Sequence, residues 1–350
     1  MSTLSPERLA QKRAAHRRLQ RQRLTAAATL VVLVIVLIVV LASGGGGHHT
    51  TTPATITPAP LPTAPTTRTT RLRLATSGRL ADAVAEPATV GLSDGEVLVL
   101  GGIDKAGKPT ADVVAVSGTR ATALAPLAAA VSGAAAAPSG TGALLFGGTP
   151  ASDAIVSVSA TGKAHTIAHL PTAVSGAGAA ELEGMDYVVG GETAAGKALD
   201  TIVAVTSTGK ATVVAHLPVG IANAAVAAAY GQLIIAGGDT SAGASRDVYE
   251  YTPHTGTVRV LHRFAHAITH ATAAALGEHI YIFGGRADPP GAAIRDIYAV
   301  AVTTGHVTHA GDLPRALSDA GAVAVGSDIV VIGGRTDTGA ASDRVYTYTR

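Results

Sequence analysis

The chain has 350 residues, of which 47% are hydrophobic, 14% charged and 3% aromatic, and its formal net charge is +2. A balance this close to neutral lacks the electrostatic footprint of a nucleic-acid binder, and the scarce aromatics leave few stacking platforms for bases or sugars. Cysteine is absent, which excludes disulfides, a thiolate nucleophile, a Cys-ligated metal and a lipoprotein anchor.

Residues 1–24 form a basic tail in which Lys12 and Arg8, Arg13, Arg17, Arg18, Arg21 and Arg23 face a single acid, Glu7. Residues 25–42 follow without a charge, and Leu30 to Leu41 consist only of Val, Leu and Ile. At about 1.5 Å per residue, that run is long enough to span one hydrocarbon core as a helix. It exceeds the apolar region of a cleaved signal peptide, and Leu41-Ala42-Ser43 is a poor cleavage site. The expectation is an uncleaved single-pass anchor, with the basic tail in the cytoplasm and the rest of the chain outside. Residues 43–69 open with Gly44 to Gly47 and continue rich in Thr and Pro, the composition of a disordered extended linker.

From residue 70 to residue 350 the chain repeats. An apolar run into Gly-Gly recurs at Gly101-Gly102, Gly147-Gly148, Gly190-Gly191, Gly237-Gly238, Gly284-Gly285 and Gly333-Gly334, at intervals of 43 to 49 residues. Each unit begins with a small-residue run such as Ala224 to Ala229, which by propensity alone favours helix. The period argues for strand instead, because a short β-branched run follows within a few residues. A polar loop then leads to an Asp-initiated strand (Asp112, Asp153, Asp200, Asp247, Asp296, Asp343), and a Thr-Gly turn to a last strand ending at Leu-Pro in Leu170-Pro171, Leu217-Pro218 and Leu313-Pro314. Four short strands per unit is the composition of a propeller blade.

The Leu-Pro corner, the apolar run into Gly-Gly and the Asp-led strand together resemble the kelch family of β-propellers. The kelch Trp of the last strand is missing: Val213, Val260 and Val307 stand near its place. The resemblance implies an all-β fold, a six-bladed kelch-like β-propeller closed by the N-terminal strand, preceded by a single transmembrane helix and a disordered linker. The last unit stops after its third strand, and a spare strand lies near Thr70 to Thr76, so the spare strand is expected to pair with Asp343 to Tyr348.

Two residue sets are candidates for function. Counting from the corner of each unit places Glu86, Gly133, Gly176, Asn223, His270 and Asp319 at one position, expected on the inner strands. An apolar ring of Val84, Val131, Val174, Ile221, Ile268 and Leu317 lies two residues earlier. A polar ring over an apolar one suits a small-ligand mouth. The second set is the loop after Gly-Gly, whose charges (Asp104, Lys105, Lys108, Glu192, Lys197, Asp239, Arg246, Arg286, Asp288, Arg295, Arg335 and Asp337) read mostly as solvated surface, with Arg286 and Arg335 kept as candidates. Glu86, Asn223, His270, Asp319, Arg286 and Arg335 are therefore the candidate ligand-binding residues. The repeated Asp reads as structural, bonding loop N–H groups. His262, His266 and His270 share no face, and no metal site or cofactor is expected.

The leading functional expectation is a membrane-tethered extracytoplasmic binding module for a protein, glycan or cell-wall component, rather than an enzyme. The alternative follows from the kelch resemblance: a sugar-active enzyme of the sialic-acid mutarotase type, using Glu86, Asp319 and His270 as acid and base. A copper oxidase of the same architecture needs a Cys–Tyr crosslink, which this chain cannot make.

Overall fold

The computed structural model describes residues 70–288 and 291–350. The basic tail, the expected transmembrane helix at 25–42 and the linker at 43–69 lie outside the described residues. The compact unit Thr67–Arg350 is all-β and is built mainly of six four-stranded antiparallel sheets.

The first sheet comprises Ala88–Gly91, Val97–Leu100, Val113–Ser117 and Arg120–Ala123; the second Ala135–Ser139, Gly142–Phe146, Ser152–Val158 and Ala164–Val174. The third comprises Gly178–Leu182, Met185–Val189, Thr201–Val205 and Ala211–His216; the fourth Ala225–Ala229, Gln232–Ala236, Asp247–Thr252 and Thr257–Arg263. The fifth comprises Thr272–Leu276, His279–Phe283, Asp296–Ala301 and Val307–Asp312. The sixth takes Gly321–Val325, Asp328–Ile332 and Ser342–Thr349 from the C-terminus, and Arg73–Val84 from the start of the described chain. That N-terminal strand pairs from Arg73↔Thr349 to Val84↔Ser342, with register shifts between Leu74 and Thr76 and between Arg79 and Val84, so it begins later and runs further than the sequence implied.

The alanine run at Ala225–Ala229 is a strand, against its propensity, because it pairs residue for residue with Gln232–Ala236 and packs between neighbours. Small side chains there let the inner strands of adjacent sheets approach one another. The second strand of each sheet is buried on both faces, as in Val97–Leu100 and His279–Phe283, which explains its unbroken apolar run. The core is divided into six clusters, each filling the seam between two neighbouring sheets. Tyr281, Phe283, Tyr346 and Tyr348 fill the seam of the fifth and sixth, and Leu80, Val84, Val99 and Ile332 that of the sixth and first. Each buried large side chain contributes roughly 1.5–3 kcal/mol. The apolar ring Val84, Val131, Val174, Ile221, Ile268 and Leu317 belongs to these seams, not to the channel wall where the sequence suggested it.

The Gly-Gly pairs are the seams' hinges. The second glycine of each pair donates its N–H to the carbonyl of the apolar residue that leads into the next sheet: Gly102 to Val131, Gly148 to Val174, Gly191 to Ile221, Gly238 to Ile268, Gly285 to Leu317 and Gly334 to Val84. The first glycine has φ between 57° and 67° and approaches the same carbonyl so closely that a Cβ would collide with it.

The Asp-led strands need a correction. Asp112, Asp247 and Asp296 directly precede the first residue of their strand that pairs with the second strand, whereas Asp153, Asp200 and Asp343 stand one residue earlier. Their carboxylates do not take up loop N–H groups. That role falls to Thr110, Ser152, Ser245 and Ser342, whose hydroxyls accept the N–H two residues on. The Asp side chains instead reach a His or Arg side chain on the outermost strand: Asp153 to His169, Asp200 to His216, Asp247 to Arg263, Asp296 to His309 and Asp343 to Arg79.

Candidate functional site

Two residues before each inner strand, the backbone turns left-handed. Glu86, Asn223, His270 and Asp319 have φ of 53° to 56°, and Gly133 and Gly176 have 56° and 60°. The candidate ring residues are thus equivalent, but they sit on this turn rather than on the strands. Each donates its N–H to the carbonyl of its predecessor: Gly133 to Glu86, Gly176 to Gly133, Asn223 to Gly176, His270 to Asn223, Asp319 to His270 and Glu86 to Asp319. Six bonds close a ring through all six sheets. A left-handed non-glycine residue costs of order 1 kcal/mol, and a closed hydrogen-bond cycle is the kind of surrounding that can hold four of them.

The ring residues and the residues that follow them, Pro87, Ala134, Ala177, Ala224, Ala271 and Ala320, line a depression of about 120 Å³. Gly133 and Gly176 leave one side free of side chains, and the polar groups gather on the other.

A second tier supplies the rest. The residue immediately after each Gly-Gly pairs, as backbone, with the residue just before the ring, as in Ala222 with Asp239, Thr269 with Arg286 and Ser318 with Arg335. From the last three sheets these side chains cross to the ring residue of the next sheet. Asp239 Oδ2 lies 3.2 Å from His270 Nε2, Arg286 Nη2 donates to Asp319 Oδ2 at 2.6 Å, and Arg335 Nη2 donates to Glu86 Oε1 at 3.0 Å. His270 Nδ1 meets Asp319 Oδ1 at 2.5 Å, Ser318 donates to Asp319 Oδ2 at 2.6 Å, and Arg335 Nε is 3.8 Å from the same oxygen. Asp239 Oδ2 also accepts from Asn223 Nδ2 at 3.0 Å and Thr269 Oγ1 at 2.8 Å.

Burial and charge act in opposite directions here. Burial pushes the Asp319 carboxyl up, but the hydrogen bond and charge of His270, with Ser318 and Arg286, hold it below its ordinary value. Burial likewise raises Asp239, and His270, Asn223 and Thr269 overcome it, leaving its pKa at about 2. Burial lowers His270 and Arg286 adds to that, yet the bonds to Asp239 and Asp319 prevail and raise it to about 9. His270 is therefore an imidazolium at neutral pH, gripped between two carboxylates.

All six candidate residues thus fall in one contiguous network around the depression. Asp239, Thr269 and Ser318 belong to it too; the readable signal for Asp239 was its place directly after Gly-Gly. His262 packs edge-on against Phe264, and His266 is exposed, so neither joins His270. A separate group, Asp296, His309 and Asp312, brings one ligand atom each within 4.8 Å on the outer strands of the fifth sheet.

Six four-stranded sheets closed through a common hydrogen-bond ring define a β-propeller-like protein. Among solved structures, the structure of YjhT is similar to it, with a TM-score of 0.66 at 14% identity, covering 77% of this chain and 96% of that one. At that identity the likeness establishes the fold. No family model and no curated protein sequence matches the chain, so the kelch resemblance does not amount to membership of a repeat family.

Two functional expectations are corrected by this site. One is the binding module for a protein, glycan or cell-wall component, and the other is that the chain is not an enzyme. The polar groups form a connected, part-buried His–carboxylate–Arg constellation on a YjhT-like fold, with an imidazolium and carboxylates around one depression. Enzymatic activity is the reading this arrangement supports.

Proposed function

We propose that the chain is a sugar-active enzyme of the mutarotase type, working at the six-residue ring of a six-bladed, kelch-like propeller. The observation that carries this is the placement of Glu86 and the His270–Asp319 pair on one ring with Arg286 and Arg335 behind them. Interconverting anomers needs a base for the anomeric hydroxyl and an acid for the ring oxygen, and nothing else. Glu86, half-buried and held at one oxygen by Arg335, accepts the hydroxyl proton as the bond from the anomeric carbon to the ring oxygen breaks. The imidazolium of His270 protonates the leaving ring oxygen through Nε2, whose 3.2 Å contact to Asp239 is the looser of its two. The open aldehyde or ketone rotates, and the reverse transfers close the other anomer. Arg286 and Arg335 keep N–H groups beyond those used within the site, which favours a sugar carrying a carboxylate. The small ligand would lie over Gly133 and Gly176, the side of the mouth without side chains.

Residues 25–42 would tether this enzyme to a membrane with the propeller outside, a reading supported by the apolar run and its basic flank alone. The test of function is anomer exchange, followed by proton NMR, with N-acetylneuraminic acid and with glucose. The full chain should accelerate exchange of the acid, and Glu86→Gln should abolish the acceleration. Exchange of both sugars at the uncatalysed rate, with a folded protein, would overturn the reading.

A further inference from the structure

Two of the seams between sheets, built on the same backbone pattern, are filled very differently. Where the third sheet meets the second, Leu170, Pro171, Leu199 and Val213 leave a void of about 20 Å³. The same location between the sixth and first sheets holds a cavity of about 410 Å³. The positions correspond through the backbone: Thr110 donates to Gly102 as Leu199 does to Gly191, and Ala123 pairs with Val114 as Val213 does with Val203. Leucine, valine and proline of the tight seam are thus replaced by Thr110, Ala123 and Ala81 at the wide one. The buried cluster at this seam also holds no aromatic side chain, unlike that of the fifth and sixth sheets.

The charges differ as well. In five sheets the repeated Asp has a His or Arg side chain within 3.5 Å on the outermost strand. In the first sheet that strand is only Arg120–Ala123, and the residue beyond it toward Asp112 is Leu124, then Ala125. Among the described residues the Asp112 carboxylate has no ion-pair partner, and Asp112 lines the cavity. Asp82, on the closing strand, lines it too and is likewise without an ion-pair partner among the described residues. The other charged lining residues are Asp104, whose Oδ1 accepts the Ala106 and Lys108 N–H groups, and Lys105, so the lining carries three carboxylates to one ammonium.

From this we infer that the seam between the first and last sheets is a second small-molecule site, which takes a compact apolar ligand bearing a protonated amine. The apolar body lies against Leu80, Val84, Val99 and Val114. The ammonium takes the place at Asp112 that Arg263 fills at the equivalent Asp247 and His309 at the equivalent Asp296, with Asp82 also in the lining. A pocket of this volume, mostly apolar with a few charged groups, has the dimensions and lining of an ordinary ligand site. The site is distinct from the ring, and its ligand is of opposite charge to the sugar acid proposed there.

The probe is benzylamine, with benzyl alcohol and benzoate as neutral and anionic counterparts, titrated into the full chain in detergent and followed by calorimetry. Benzylamine should bind at least tenfold tighter than either counterpart. Asp82→Asn combined with Asp112→Asn should erase that preference. Thr110→Leu combined with Ala123→Val, which rebuilds the tight seam, should weaken all benzyl binding at least tenfold. Equal binding of the three probes, no binding of benzylamine, a preference that survives the Asn pair, or binding that survives the refilled seam would each overturn the inference. So would loss of benzylamine binding on Glu86→Gln with retention in the Asn pair, which would move the amine to the ring.

Discussion

His270 and Asp319 are 49 residues apart in sequence, yet their side chains share a 2.5 Å contact between Nδ1 and Oδ1. They are successive members of the hydrogen-bonded ring, so the backbone bond from Asp319 N–H to the His270 carbonyl fixes their spacing before the side chains meet. Arg286 and Ser318 hold the other oxygen of Asp319, which turns its remaining lone pairs toward the imidazole.

Stability should follow from this pair in a defined pH window. The pKa of His270 is raised from 6.5 to about 9. Its stabilisation is therefore fully present below pH 6.5 and is lost as pH rises through 9. At about 1.4 kcal/mol per pKa unit the loss is at most about 3 kcal/mol. Thermal melts of the wild type should fall between pH 7 and pH 9.5, and His270→Gln should flatten that fall. An equal slope in the two proteins would refute the pairing.

The reaction should separate the roles of two ring residues. Glu86→Gln removes the base and keeps the bond from Arg335, so kcat for anomer exchange should drop about 10²–10⁴-fold with little change in KM. Arg335→Met removes a cation and should mainly raise KM for a carboxylated sugar. If Glu86→Gln shifts KM alone, Glu86 positions the substrate and another group is the base.

Sequence spacing picked out six equivalent positions, because each sheet is built to one template and the offset from its last-strand corner is constant, but it assigned them to the inner strands. What it could not show is the left-handed turn at that position, although Gly, Asn and Asp are the residues that tolerate it. Nor could it separate Asp239 from neighbouring loop charges, or show what Arg286 and Arg335 reach. All are polar loop residues in sequence, and only the bridge to the residue before the ring turns these three inward. The Asp series misled for a related reason. Recurrence identified it as structural, but the partner lies on a strand some 16 residues away, as for Asp153 and His169.

The glycine hinges can be tested against a control. An alanine at Gly237 or Gly284 would place a Cβ against the Ile268 or Leu317 carbonyl of the next sheet, at φ of 65° or 57°. Gly256 has φ of 67° but open space around it. Gly256→Ala should cost about 1 kcal/mol from conformation alone, and the hinge variants clearly more, read as urea midpoints. Equal costs would mean that the close approach contributes nothing.

Asp186 should weaken the protein at neutral pH. It is 5% exposed, and burial, reinforced by Glu181 across the strand pair, raises its pKa from 3.8 to about 7. Because the folded-state value lies above the unfolded one, stability falls as pH rises from about 4 to 7. Asp186→Asn should raise the melting temperature at pH 7.5 and leave it nearly unchanged at pH 4. A gain of the same size at both pH values would indicate packing rather than ionisation.

The closing strand sets the last test. Arg73–Val84 pairs with Ser342–Thr349, and without it the strand carrying Tyr346 and Tyr348 becomes a free edge. Removing residues 1–80 also deletes Leu72 from the seam of the fifth and sixth sheets and Leu80 from that of the sixth and first. Two buried leucines are worth roughly 3–6 kcal/mol together, comparable to the net stability of many domains. The Arg79–Asp343 ion pair at 2.7 Å goes with them, although it is largely exposed and contributes little. Removing residues 1–66 takes nothing from the described sheets. The longer deletion should therefore aggregate or melt with reduced cooperativity in calorimetry and light scattering, while the shorter one keeps the full transition. Identical melting of the two would show that the strand pairing does not stabilise the ring.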